Sequence, residues 1–207
     1  MVEWSIAACR AADSIRSIVV ACPPGHVHDL AGHDLGVVDG GATRAQSVSN
    51  ALRVVGTELV AIHDAARPLV TAELIENVIA TLLDDSEADG AIAATPMTDT
   101  VKKASTDTQR LFSSSGMEKG RLVVEATLDR ERLWSAQTPQ VFRVEALQRA
   151  ALDADPERAA AATDEAMLLE AAGGTVLIHP APVGNLKVTT PLDLKLAEFL
   201  LAQRSAQ

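Results

Sequence analysis

Short apolar runs alternate with segments of helical period along most of the chain. Residues 2–14 set Val2, Ile6 and Cys9 close to one face and predict a helix. Ser17–Cys22 is a β-branched run halted by Pro23-Pro24-Gly25, which predicts a buried strand. Leu35–Asp39 repeats that pattern and ends in Gly40-Gly41. A helix is expected over about 43–55, a strand over 58–63, a helix over 71–84 and an apolar strand over 90–94. Beyond the middle of the chain, helices are expected near 144–152 and 164–172, a strand at 175–179 and a helix over 191–202. Thr190 serves the last helix as N-cap, with Pro191 at its first position. Strands alternating with helices in this way predict an α/β fold, doubly wound around a mostly parallel sheet.

Residues 98–134 break the rhythm. They hold Lys102, Lys103, a polar middle and an alternating stretch, Arg121–Arg130. A structureless connection of that length is rare inside a compact domain, so a two-stranded arm with a loose tip is expected within a single domain spanning 1–207.

Composition narrows the classes. With 47% hydrophobic residues the 207-residue chain can bury a full core, which is aliphatic because Tyr is absent and Phe and Trp number three and two. The formal net charge of −10 disfavours non-specific nucleic-acid binding. An anionic substrate therefore needs local positive charge. Cys9 and Cys22 fit no metal spacing and no disulfide framework, and are expected as buried free thiols. No apolar run approaches the roughly 20 residues of a membrane span, and charged residues early in the chain argue against a signal peptide. The expectation is a cytoplasmic protein without membrane or nucleic-acid partners.

Nucleotide-binding doubly wound domains commonly start with a strand and a Gly-rich turn that meets phosphates at a helix N-terminus. Here the first glycine is Gly25, so an amino-terminally incomplete domain is expected.

Four motifs carry a resemblance: Val-Val-Asp-Gly-Gly-Ala-Thr-Arg-Ala-Gln-Ser-Val at 37–48, Val-Ala-Ile-His-Asp-Ala-Ala-Arg-Pro-Leu-Val at 60–70, Leu-Trp-Ser-Ala-Gln-Thr-Pro-Gln-Val-Phe at 133–142, and Thr-Asp-Glu-Ala at 163–166 followed by Asn-Leu-Lys-Val-Thr-Thr-Pro-Leu-Asp-Leu at 185–194. In that order the chain resembles the 2-C-methyl-D-erythritol 4-phosphate cytidylyltransferases, over essentially its whole length. Ribitol-5-phosphate cytidylyltransferases share the general plan and stand as the alternative acceptor reading. A non-catalytic remnant acting as a binding module is the alternative of another class. Nothing matches that family's opening Gly-rich segment with its Pro-Lys.

The resemblance implies transfer of CMP from CTP to a sugar-alcohol phosphate, with Mg2+ and cationic side chains neutralising charge on the transferred phosphorus. Asp64, just beyond an apolar strand, is where open α/β sheets present ligands. The resemblance makes it the Mg2+ ligand beside the nucleotide, next to Ala65. It implies that Gly41, Ala42 and Ser47 read the cytosine, with Arg44 left as either a functional or a solvated first-turn residue. Arg67, Thr138 and Thr163 would contact the acceptor, and Lys187 would position its phosphate. Read locally, Thr163 and Asp164 also suit a helix N-cap, Thr138 also suits a turn before Pro139, and His63 reads as structural. Thr100 and Arg130 flank the arm, which the resemblance carries to a second subunit in a homodimer.

Overall fold

The computed structural model describes residues 1–26, 35–105, 123–153 and 162–205. The chain divides into one unit formed by Met1–Ala94 with Ala136–Gln207 and a second formed by Thr95–Ser135.

In the first unit, α1 (Val2–Ala11) leads to β1 (Val19–Cys22), which pairs in parallel with β2 (Gly36–Asp39). Helix α2 (Arg44–Leu52) follows, then β3 (Leu59–Ile62), α3 (Ala72–Leu83) and β4 (Gly90–Pro96). After the second unit come β7 (Trp134–Arg143), α4 (Val144–Asp153), α5 (Glu165–Ala171), β8 (Val176–Pro180) and α6 (Pro191–Ser205). A four-stranded sheet has the order β3-β7-β4-β8, with β4 and β8 parallel and β3 and β7 antiparallel.

Three helix starts have a local cause in a threonine cap. The Thr71 hydroxyl accepts from Leu74 N at 3.1 Å to begin α3, and Thr43 accepts from Gln46 N at 3.2 Å to begin α2. At α6, Asp193 N donates to the Thr190 hydroxyl at 3.2 Å. The Asp193 carboxylate answers by accepting from Thr190 N at 2.8 Å, a reciprocal box with Asp in place of Glu.

The core lies in two layers, one on each face of the sheet. On α3, Leu74, Ile75, Val78, Ile79 and Leu82 are buried at helical spacing and pack on Ala91, Ala93 and Val141. The intervening residues Ile92 and Phe142 point the other way, to Leu147 and Ala150 of α4 and Leu169 of α5. The alternation of β4 and β7 thus serves helices on both faces, as a doubly wound sheet requires. Gly90 is demanded by this packing: a Cβ there would meet the Phe142 ring at 2.5 Å.

Strand β7 is the element that the sequence pattern does not predict. It lies between β3 and β4, yet it is polar at Ser135, Gln137, Thr138 and Gln140 and contains Pro139, which cannot donate to a ladder. Residues 185–190 form neither helix nor strand and lead irregularly into α6. The thiols divide: Cys22 is buried, whereas Cys9 is only half-buried.

β1 and β3 are both sheet edges, in separate sheets. Between them lies a cavity of about 590 Å3, walled by Val19–Ala21 of β1, Leu59–Ile62 of β3 and the apolar faces of α1, α2 and α3. Its polar lining residues include Arg44, Ser47, His63 and Asp64, which follow the carboxyl ends of β2 and β3. Among the described residues no helix is long and apolar enough to cross a membrane.

In the second unit, β5 (Lys102–Ala104) pairs antiparallel with β6 (Val124–Thr127). Lys103 Nζ meets Glu125 at 2.7 Å, and Arg130 donates to the Thr98 carbonyl. The expected arm tip, from residue 106 onward, falls outside the described residues.

Candidate active site

Asp64 follows β3 directly and is the centre of a charged network. Lys187 Nζ donates to its Oδ2 at 2.7 Å and Arg44 Nε to its Oδ1 at 3.1 Å. Burial by itself would raise this carboxyl. The Lys187 and Arg44 cations outweigh it, holding Asp64 below the ordinary carboxylate range and ionised at neutral pH. Arg44 is held from behind, since its Nη1 lies 2.8 Å from each carboxylate oxygen of Glu165. Glu165 is buried, and that burial pushes its carboxyl up despite the arginine.

The backbone of Asp64 is fixed as firmly as its side chain. Asp64 N donates to the Thr138 hydroxyl at 3.0 Å, and that hydroxyl lies 3.0 Å from His63 Nδ1. His63 Nε2 lies 3.2 Å from the Arg67 carbonyl, which can only accept. The imidazole therefore carries its proton on Nε2 and accepts from Thr138 on Nδ1. Burial pushes His63 down to about 4, so the neutral ring is the native form. The Thr138 hydroxyl is engaged on both sides, as the frame of the Asp64 turn.

Lys187 reaches Asp64 because its irregular segment is anchored on either side. Arg67 Nη1 donates to the Asn185 carbonyl at 2.9 Å, and Val188 N donates to the Ala66 carbonyl at 2.7 Å. The Asn185 amide donates to Gln137 and to the Thr138 carbonyl at 2.8 and 2.9 Å. Arg67 is itself buried, and its Nε has no acceptor among the described residues. Its nearest role is thus to hold the lysine segment, beside any ligand contact.

The turn after β2 forms a second focus. Gly41 N donates to the Ser47 hydroxyl at 3.0 Å, Ala42 N to the Gln46 side chain at 2.8 Å, and Ser47 in turn donates to the Thr43 carbonyl at 3.0 Å. A Cβ on Gly41 would meet the Gln46 Cβ at 2.2 Å. The amides that the resemblance assigns to a base edge are therefore presented by α2's first turn and covered in part by Gln46.

The structure brings Asp64, Arg67, Thr138 and Lys187 into one network, with Arg44 linking it to the helix that follows Gly41 and Ala42, while Ala65 lines the cavity beside Asp64. Thr163 precedes the N-cap Asp164, and its hydroxyl lies 3.1 Å from Met167 Sδ. Thr100 and Arg130 belong to the second unit. Sequence reasoning passed over Gln46, Glu165 and Asn185. Glu165 stands inside a quoted motif, but an acidic residue just after an N-cap looks like ordinary first-turn chemistry. Among the described residues no group of three or more His, Cys, Asp or Glu forms a metal cluster. A single carboxylate still suits Mg2+, which is usually held by one or two carboxylates with substrate phosphates completing its shell.

Solved structures share this fold. The 2-C-methyl-D-erythritol 4-phosphate cytidylyltransferase of Thermus thermophilus superimposes with a TM-score of 0.76 at 29% identity, covering 97% of this chain and 88% of that one. The bifunctional IspD/IspF enzyme of Anaeromyxobacter dehalogenans is 42% identical over 202 residues, 95% of this chain and 48% of its own length. The Synechocystis 2-C-methyl-D-erythritol 4-phosphate cytidylyltransferase is 36% identical over 220 residues, covering 100% of this chain and 86% of its own. The chain thus spans about half the length of this bifunctional relative and most of the Synechocystis one. Residues 1–203 match the family profile of IspD, 2-C-methyl-D-erythritol 4-phosphate cytidylyltransferase, and the chain belongs to that family.

Proposed function

We propose that this chain transfers CMP from CTP to 2-C-methyl-D-erythritol 4-phosphate, in the formation of isoprenoid precursors. The observation that carries the proposal is Asp64 at the end of β3 with Lys187 and Arg44 against its two oxygens. An acidic chain of net charge −10 here concentrates two cations at a strand's carboxyl end, where a polyanion needs them.

In the transfer, an oxygen of the acceptor phosphate attacks the α-phosphorus of CTP. The new oxygen–phosphorus bond forms as the bond to the β-phosphate oxygen breaks, and pyrophosphate leaves with that electron pair. Lys187 and Arg44 are placed to offset charge on the transferring group. Gly41, Ala42 and Ser47 receive the cytosine, and Ala65 leaves room beside it. Arg67, Thr138 and Thr163 shape the acceptor side, the first two through the frame they give Asp64 and Lys187. When bound, a divalent cation, Mg2+, would sit on Asp64 and polarise the phosphoryl oxygens.

A homodimer completes the site in this reading, with Thr100 and Arg130 of the arm serving the partner's acceptor phosphate. Use of CTP fits a cytoplasmic enzyme. The test is pyrophosphate release in the presence of CTP with 2-C-methyl-D-erythritol 4-phosphate or ribitol 5-phosphate. Release with the first acceptor at least about tenfold faster, roughly 1.4 kcal/mol of discrimination, is expected. Equal rates, or none, overturn the assignment.

A further inference from the structure

We propose that Glu165 is a positioning residue for the transfer, acting on Asp64 through Arg44; this rests on the reading of Asp64 given above. Glu165 is the first residue of α5, set in place by the N-cap Asp164, which accepts from Met167 N at 3.1 Å and from Gln140 Nε2 at 2.9 Å. Its side chain is 5% exposed. A carboxylate so buried is costly unless a cation answers it, and Arg44 is the cation placed to do so.

The geometry says more than that the two are paired. A guanidinium unrestrained beside a carboxylate takes it by two parallel bonds, a fork on a fork. Arg44 does not hold Asp64 in that way: its Nη1 is committed to both oxygens of Glu165 at 2.8 Å. Its Nε alone reaches Asp64, in one bond of 3.1 Å. No described group accepts from Nη2. The guanidinium is thus shared, with Nη1 on Glu165 and Nε on Asp64. Asp64 is offered charge without being captured, so one of its oxygens can be yielded to an incoming ligand while Arg44 stays in position. The fork also links three separate segments, the start of α2, the end of β3 and the start of α5, in a unit where Lys187 supplies a fourth. An arginine on a first helical turn is ordinarily a mobile surface side chain; two-point attachment makes it a fixed one.

The experiment uses the full chain and reads the Arg44 Nε–H signal in proton–nitrogen correlation spectra, which requires no turnover. The wild-type signal should exchange slowly with solvent and shift in Asp64→Asn. In Glu165→Gln its exchange should quicken by at least tenfold, and Glu165→Asp, too short to hold both bonds, should do the same if the Gln variant folds poorly. Turnover should fall about tenfold in Glu165→Gln with the KM for CTP changed less than threefold. Arg44→Lys should fall likewise, and adding Glu165→Gln to it should cost nothing further, because both changes break one device. An unchanged Nε–H signal in the Glu165 variants overturns the proposal. So does a Glu165→Gln enzyme with wild-type kcat, or additive losses in the double variant. A wild-type chain that shows the slow signal but releases no pyrophosphate would instead overturn the transferase reading and leave the clamp standing.

Discussion

Lys187 Nζ lies 2.7 Å from Asp64 Oδ2, although 123 residues separate them in the chain. The contact depends on two anchors either side of the lysine, Asn185 under Arg67 and Val188 under Ala66. A side chain that is 43% exposed is thereby aimed at one carboxylate. An exposed pair of this kind adds little to stability. Lys187→Ala should therefore lower turnover by about tenfold or more while the unfolding midpoint and circular dichroism change little. Wild-type kinetics would remove Lys187 from the site.

Gly41 is the position at which a single methyl group tests the nucleotide corner. In Gly41→Ala the new Cβ would fall 2.2 Å from the Gln46 Cβ and 3.2 Å from the Gln46 backbone carbon, so the first turn of α2 must move. The Gly41 and Ala42 amides move with it. Isothermal titration should show CTP bound about tenfold more weakly, roughly 1.4 kcal/mol, with the overall fold retained. Unchanged affinity would mean that the base is read elsewhere.

Helix α3 was legible because its apolar residues recur at helical spacing behind a Thr cap, and nothing in tertiary packing opposes that pattern. Strand β7 was not, because its positions answer to different demands: Val141 and Phe142 fill the core, while Thr138 and Gln137 frame Asp64 and the Asn185 segment. A strand with a polar half and an internal proline carries no period of two to find. Asp64 and Lys187 were visible from their motifs, but their direct pairing was not, since it depends on loop anchors far apart in sequence. Glu165 was hidden for a simpler reason. Its burial is a property of the packed α5, and a glutamate behind an N-cap gives no local sign of it.

His63 gives a pH signature that separates framing from chemistry. Its native value near 4 lies below the 6.5 of the unfolded ring, so between those values the unfolded chain binds the extra proton. The stabilisation is present above pH 6.5 and is lost as the pH falls to about 4. At full effect it amounts to about 3 kcal/mol. Denaturant titrations of wild type and His63→Gln across this window should show a steeper loss in the wild type. Parallel curves would mean that His63 titrates normally and that the Thr138 hydroxyl is differently engaged.

The two sheet edges that face the cavity should be the weakest part of the first unit. Among the described residues β4 is paired on both sides, by β7 and β8, whereas β3 is paired only by β7 and β1 only by β2. Amides on the open edges of β1 and β3 have no ladder partner from a strand among the described residues. Hydrogen exchange should proceed about a hundredfold faster there than in Ala91–Ala94. Equal protection would show that the edges are closed in solution, by another segment or by a second molecule.

The arm tests the proposed dimer. Its two short strands, Lys102–Ala104 and Val124–Thr127, expose most of their side chains, and an isolated two-stranded ribbon is marginal in water. Packing against the same arm of a second copy, across a two-fold axis, would supply the missing burial. In that arrangement Arg130, whose guanidinium here donates to the Thr98 carbonyl, would offer its remaining donors to the partner's acceptor phosphate. An Arg130→Ala dimer and an Asp64→Ala dimer should each be nearly inactive. Mixed under conditions that exchange subunits, they should regain activity, because a mixed dimer holds one site with both residues intact and one with neither. At random exchange half of the dimers are mixed and each carries one working site of two, so about a quarter of wild-type activity is expected. Verified exchange without recovery would place Arg130 and Asp64 of one chain in the same site, and the arm would then owe its length to something other than catalysis in trans.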